Sequence, residues 1–190
     1  MQILVGLGNP GAQYALHRHN VGFMAIDAIA ARWNIGPFKP RFQGLAAEGR
    51  IGTAKILLLK PATFMNDSGR SVGDAVRFYK ADVATALSAF YDELDLAPFK
   101  LKIKHGGGAA GHNGIRSLDA HLGLDYCRVR IGIGHPGHKD RVTGHVLGNF
   151  AKAELDPLAD LIGVMADELP TLLAGGEARY LSDIALRLQP

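Results

Sequence analysis

Five short apolar or alternating runs, at residues 3–7, 54–59, 87–91, 101–104 and 129–133, are separated by amphipathic stretches and glycine-rich turns. Runs of this length, bounded by turn formers, read as strands. Between the first two, Phe23, Ile26, Ala30 and Trp33 recur at helical spacing, with Asn20 as a candidate N-cap. A second helix is expected over 68–79, a longer helical pattern over 152–174, and a last helix over 178–188 after Gly175-Gly176. Strands that alternate with helices imply an α/β layer fold. The 190 residues, 47% hydrophobic and 21% charged, suffice for one substantial core, so a single domain over 1–190 is expected.

Several classes fall away early. No run approaches the roughly 18 apolar residues that a membrane span needs. The opening MQILVGLG is too short for a signal peptide and lacks its basic flank, so a cytoplasmic location is expected. The single cysteine, Cys127, has no partner for an internal disulfide and sits in a strand-like segment, which makes it a core residue. No HExxH, paired-cysteine or calcium-loop spacing occurs, so metal-assisted hydrolysis has little support.

The net charge is only +3, but it is unevenly spread. Residues 100–145 hold eight Lys or Arg against three acids, a balance of +5 that leaves −2 for the rest, and six of the eight histidines fall there too. One region can therefore present many donors to an anion, although a solvated surface would look the same by charge alone.

Five segments carry candidate chemistry. Gly6 to Gly11, GLGNPG, follows a strand and formally matches a dinucleotide fingerprint, but no second strand ends in an acid at the required distance. Its content points elsewhere: Asn9 places an amide at a strand's C-terminal end, where open α/β sheets build their sites. His17-Arg18-His19-Asn20 offers an imidazole that can take a proton from water near neutrality, though a lone histidine there is more often a surface residue. Asp92, Glu93 and Asp95 end a strand, and one such acid could hold the imidazole in its basic tautomer. Lys60 to Gly69 supplies the Asn66 amide, with Phe64 and Met65 as apolar faces or as core. The glycine-rich stretch from Lys104 to Gly114 allows close approach of a polyanion and leads into a helix start beyond Asn113. It lacks the Lys-Ser/Thr end of a P-loop, which disfavours nucleotide hydrolysis.

Taken together, GLGNPGAQY with RHNVGF, KPATFMNDSG, YDELDL, and GGGAAGHNG with RIGIGHPG resemble, in order and over nearly the whole chain, the bacterial peptidyl-tRNA hydrolase family. The resemblance implies one α/β domain with a twisted mixed β-sheet flanked by helices, acting as a monomer without metal or cofactor. It implies His19 as catalytic base, Asp92 as its supporting carboxylate, and Asn9 as the residue that distinguishes N-blocked from free aminoacyl esters. Tyr14, Phe64, Asn66 and Asn113 would contact substrate, with Asn113 near the attacking water. Lys104 and Arg130 would grip the tRNA, helped by Lys139 and Arg141. Two positions depart from the pattern: His17 stands in place of threonine, and Ala110 in place of a glycine. Because alanine resists positive φ, a differently shaped loop is expected at Ala110. The implied reaction is hydrolysis of the ester between a peptide and the 3′ end of tRNA. The competing readings are a non-catalytic RNA-binding protein on the same scaffold and, from Gly6 to Gly11, a dinucleotide-dependent oxidoreductase.

Overall fold

The computed structural model describes residues 1–190. In chain order the elements are β1 (Gln2–Gly6), α1 (Val21–Trp33), β2 (Lys39–Arg41), β3 (Gly44–Ile51), β4 (Ala54–Pro61), α2 (Ser68–Tyr79), α3 (Val83–Ala86), β5 (Leu87–Glu93), β6 (Leu101–His105), α4 (Asn113–Leu122), β7 (Cys127–Gly132), α5 (Val142–Val146), α6 (Leu155–Asp167), α7 (Leu169–Leu173) and α8 (Glu177–Arg187). The seven strands form one mixed sheet in the order β2-β3-β4-β1-β5-β7-β6. The central strands β4, β1, β5 and β7 run parallel, and the β2–β3 hairpin and β6 close the two edges antiparallel.

Helices cover both faces, so the central strands read as continuous apolar runs rather than as alternating ones. Alternate residues still point to opposite sides. Leu4, Ile56, Leu58, Phe90, Val129 and Ile131 join a core shared with α1, α6 and α8, whereas Ile3, Val5, Leu57, Leu59, Ala89 and Tyr91 pack with α2 and α4. Cys127 is buried in the first core, as expected.

All five expected strands form. The β2–β3 hairpin was not expected, because GLAAEGRI carries few β-branched residues and its burial does not alternate cleanly. Tertiary pairing imposes β3: Gly44 lies so close to Lys60 that a Cβ would sit 2.6 Å from its carbonyl oxygen. The long helical pattern over 152–174 is divided at Glu168, since Pro170 in the first turn of α7 has no N–H to continue the ladder. No helix is long and apolar enough to cross a membrane.

Candidate active site

The C-terminal ends of β1 and β5, the turn after β4, the turn before α1 and the start of α4 converge on a cleft of about 680 Å³. Asn9, Tyr14, His19, Phe64, Asn66, Asp92 and Asn113 all line it. Parallel strands deliver these side chains to one edge of the sheet because their C-terminal ends all lie there.

Asp92 sits on β5, buried, with its strand paired to β1 on one side and β7 on the other. His19 occupies a 3-10 turn, Arg18–Asn20, and its Nδ1 lies 3.0 Å from both carboxylate oxygens of Asp92. That contact places the ring proton on Nδ1 and leaves Nε2 as an acceptor. A second imidazole joins them: His112 Nε2 is 2.9 Å from Asp92 Oδ1, while His112 Nδ1 accepts the N–H of Ile115 at 3.3 Å and so caps α4. Its tautomer is therefore set as well, with the proton on Nε2. Burial alone would raise the Asp92 carboxyl, but the charges and hydrogen bonds of His112 and His19 outweigh it and hold the group well below the usual carboxylate range. Burial lifts the neighbouring Glu93 against the opposing pull of Arg130, whose Nη1 is 3.7 Å from Glu93 Oε1. The ligand atoms of His19, Asp92 and His112 lie within 4.8 Å of one another and could hold a metal, though as placed both imidazoles direct their N–H at the carboxylate.

Asn9 is held from two sides. Its backbone N–H donates to Asn20 Oδ1 at 2.9 Å, and Asn20 Nδ2 donates back to its carbonyl at 2.9 Å. Asn20 thus clamps Asn9 instead of capping α1, where its side chain makes no cap bond. Asn9 Oδ1 accepts the N–H of Met65 at 2.8 Å, which leaves its Nδ2 to offer a donor to the cleft.

The turn after β4 divides the two apolar residues expected there: Met65 is core, whereas Phe64 is 55% exposed on the rim, edge-on to Tyr14 at 6.4 Å. Phe64 has φ 58° and ψ 159°, a region that only glycine visits easily and that costs of order 1–3 kcal/mol. The Asn9–Met65 bond and the Asp67 N–H to Phe64 carbonyl bond hold it there.

The basic residues lie apart from the cleft lining. In the antiparallel β6–β7 register Lys102 faces Arg130 and Lys104 faces Arg128, so the four share one face of the sheet. Lys104 runs against Gly107 in the glycine-rich loop. Arg130 is mostly buried beside Glu93. Arg128, counted in the basic excess, is fully buried and bonded to Asp119, Leu124 and Gly108, so it serves the fold and not a surface. Lys139 and Arg141 are exposed in a 3-10 turn before α5. Ala110 adopts φ 49° despite its side chain, so the loop takes positive φ there with alanine as its occupant.

Sequence reasoning did not place His112 or Asn20 in the site. The signal for His112 lay in the string GHNG itself, where it precedes the helix start as a cap. A further wall of the cleft comes from His135 and from Val142, Thr143, Val146 and Leu147 in and beside α5. The chain is clamped at the far end of that wall, where residues 17 and 149 form an isolated bridge and Arg18 reaches Glu154 and the His145 carbonyl.

The family model described as peptidyl-tRNA hydrolase matches residues 3–188. A peptidyl-tRNA hydrolase of Novosphingobium aromaticivorans is 67% identical over 189 residues, covering 100% of this chain and 98% of the relative. One from Erythrobacter litoralis is 64% identical over the whole of both chains. Among solved structures, peptidyl-tRNA hydrolase from Acinetobacter baumannii superposes with a TM-score of 0.89 at 39% identity, covering 97% of this chain and 94% of that one. The match runs through the strings that carry the resemblance and favours the hydrolase over the RNA-binding and oxidoreductase readings. By whole-chain sequence and by fold, this chain belongs to the peptidyl-tRNA hydrolase family.

Proposed function

We propose that, in cleaving the ester between a peptide and the 3′ end of tRNA, this chain uses His19 as general base and water as nucleophile. The observation that carries this reading is the contact of His19 Nδ1 with both oxygens of Asp92, 3.0 Å each, in a buried setting. It orients the ring, leaves Nε2 to accept a proton, and supplies a negative charge that stabilises the imidazolium when it forms.

The water oxygen attacks the ester carbonyl while its proton passes to His19 Nε2. The tetrahedral oxyanion then collapses and expels the ribose oxygen, which takes the proton back from the imidazolium. The products are a peptide acid and a tRNA with a free terminal hydroxyl. An ester needs less activation than an amide, so base action worth ~10²–10⁴-fold, with oxyanion donors and positioning, meets the demand. The first N–H groups of α4, at Asn113 and Gly114, have no partner inside the helix and are suitable oxyanion donors. Asn113 orients the water, Asn9 Nδ2 and Asn66 bind the peptide's terminal units, and Tyr14 with Phe64 supports the aminoacyl end.

Lys104 and Arg130, with the exposed Lys139 and Arg141, meet tRNA phosphates, which yields salt-dependent affinity with little sequence readout. The scheme calls for no residue from a second copy, which supports a monomer, and a tRNA-borne substrate supports a cytoplasmic location.

His19→Ala is expected to lower kcat ~10²–10⁴-fold on N-acetyl-aminoacyl-tRNA with little change in melting temperature. Near-normal turnover would remove His19 as the base. The same assay with free aminoacyl-tRNA tests selectivity, for which little release is expected.

A further inference from the structure

Besides the trio in the cleft, one other cluster of metal-ligating side chains is present, and the chemistry above makes no use of it. Ligand atoms of His105, Cys127 and Glu177 all lie within 4.8 Å of one another. His105 ends β6 and Cys127 opens β7, and the antiparallel register sets them directly opposite each other. Glu177 is the first residue of α8, with its Oε1 2.5 Å from His105 Nε2. Cys127 pairs with Ser88 near the start of β5, whereas Asp92 lies near the other end of that strand. At the usual rise per residue the two places are separated by ~13 Å along the sheet.

A thiol, an imidazole and a carboxylate together suit two chemistries. A nucleophilic thiol needs a lowered pKa and an imidazole free to take its proton. Here burial pushes the Cys127 thiol up to about 11, with Glu177 adding to the rise against a hydrogen bond from Ser88, and His105 is already engaged by Glu177. Coordination faces both costs and offsets them with three ligand bonds. A metal ion displaces the thiol proton, and two ligand bonds replace the His105–Glu177 hydrogen bond. Accessibility also suits it: the sulfur is buried, while the His105 and Glu177 side chains remain 43% and 37% exposed and can close over an entering ion.

We infer that His105, Cys127 and Glu177 bind one borderline transition-metal cation of the Zn2+ or Co2+ type through sulfur, nitrogen and oxygen, with water completing a tetrahedron. The thiolate selects against Mg2+ and Ca2+, which take oxygen ligands. The positive end of the α8 dipole opposes a cation there, and the Glu177 charge in its first turn offsets that effect. The filled site ties the end of edge strand β6, and with it the start of the glycine-rich loop at Gly106, to the first turn of α8. Its role is structural and separate from ester cleavage.

The test strips the full-length protein of metal with a chelator and titrates it with Co2+, whose thiolate complexes show a charge-transfer absorption. A thiolate band that saturates at one equivalent is expected, together with a melting temperature that rises with added Zn2+. Cys127→Ser should abolish the band. His105→Ala and Glu177→Gln should weaken Zn2+ binding by more than the ~10–100-fold typical of losing an outer-shell partner, with hydrolysis by the metal-free protein unchanged. If Cys127→Ser fails to fold, the half-exposed His105→Ala carries the test. Binding of Co2+ without a thiolate band, or an unaltered affinity in His105→Ala, overturns the inference. So does binding that is lost with His112→Ala instead, which would put the ion in the cleft.

Discussion

His19 and His112 stand with ring centroids 4.8 Å apart and share one carboxylate, that of Asp92. His112 is fixed in turn by the start of α4, because its other ring nitrogen caps the helix at Ile115. The proposed base, its carboxylate and the proposed oxyanion donors thus form one connected unit.

His112→Ala should therefore act at a distance from the water. It removes a buried charge-assisted hydrogen bond and a helix cap together, which is expected to cost about 1–3 kcal/mol of stability. With Asp92 freer to turn, kcat should fall ~10–100-fold, less than for His19→Ala, and KM should barely move. Urea unfolding alongside steady-state kinetics on N-acetyl-aminoacyl-tRNA checks both parts. Unchanged turnover would mean that His19 alone holds Asp92 in place.

The depressed Asp92 carboxyl makes a statement about acid stability. Its folded-state value lies below the ordinary Asp value of about 3.9. The charged form therefore stabilises the fold above that pH, and the contribution is lost as pH falls through the acid range towards the folded value. Asp92→Asn lacks this contribution. The stability gap between the parent chain and the variant, measured by urea midpoints, should hold from neutrality down to about pH 5 and narrow below it. A gap independent of pH would assign it to packing instead of charge.

Asn20→Ala tests the clamp on Asn9. The change strands a backbone donor and a backbone acceptor that are now paired with one side chain, a loss of about 1–3 kcal/mol. If Asn9 reads the N-blocked end of the substrate, its displacement should also lower the ratio of kcat/KM for N-acetylated over free aminoacyl-tRNA. A ratio that stays constant while stability falls would confine Asn20 to a folding role.

Lys104 is a cleaner probe of tRNA binding than Arg130. It makes no ion pair, whereas Arg130 partners the buried Glu93, so reversing Arg130 would disturb the site wall as well. Lys104→Glu should raise KM for full tRNA substrates, leave kcat nearly unchanged, and flatten the dependence of kcat/KM on salt by about one phosphate contact. If KM is unaltered at low salt, the β6–β7 face is not where tRNA docks.

The sheet's centre was legible because doubly covered parallel strands must be apolar throughout, as Ile56 to Leu59 are. The hairpin of β2 and β3 was not, because its pairing depends on a close approach at Gly44 that no local pattern announces. In the cleft, the lining side chains stood out by type and by their place at strand ends. The residues that hold them did not. Asn20 resembles a helix cap from its position alone, and only the fold shows that its amide reaches back across the turn to Asn9. Arg128 likewise counts as surface charge in any linear tally, yet the packing of Tyr126, Asp119 and the glycine-rich loop encloses it.

Asp92 belongs to the fifth of seven strands, hydrogen-bonded along both flanks. Such a strand does not fray, and it exchanges its amides only when the whole molecule opens. Asp92 is thus fixed by the most stable layer of the molecule, whereas His19 reaches it from a turn. Heat can therefore lower turnover before the sheet itself collapses, by loosening the turn that carries His19 while Asp92 stays in place.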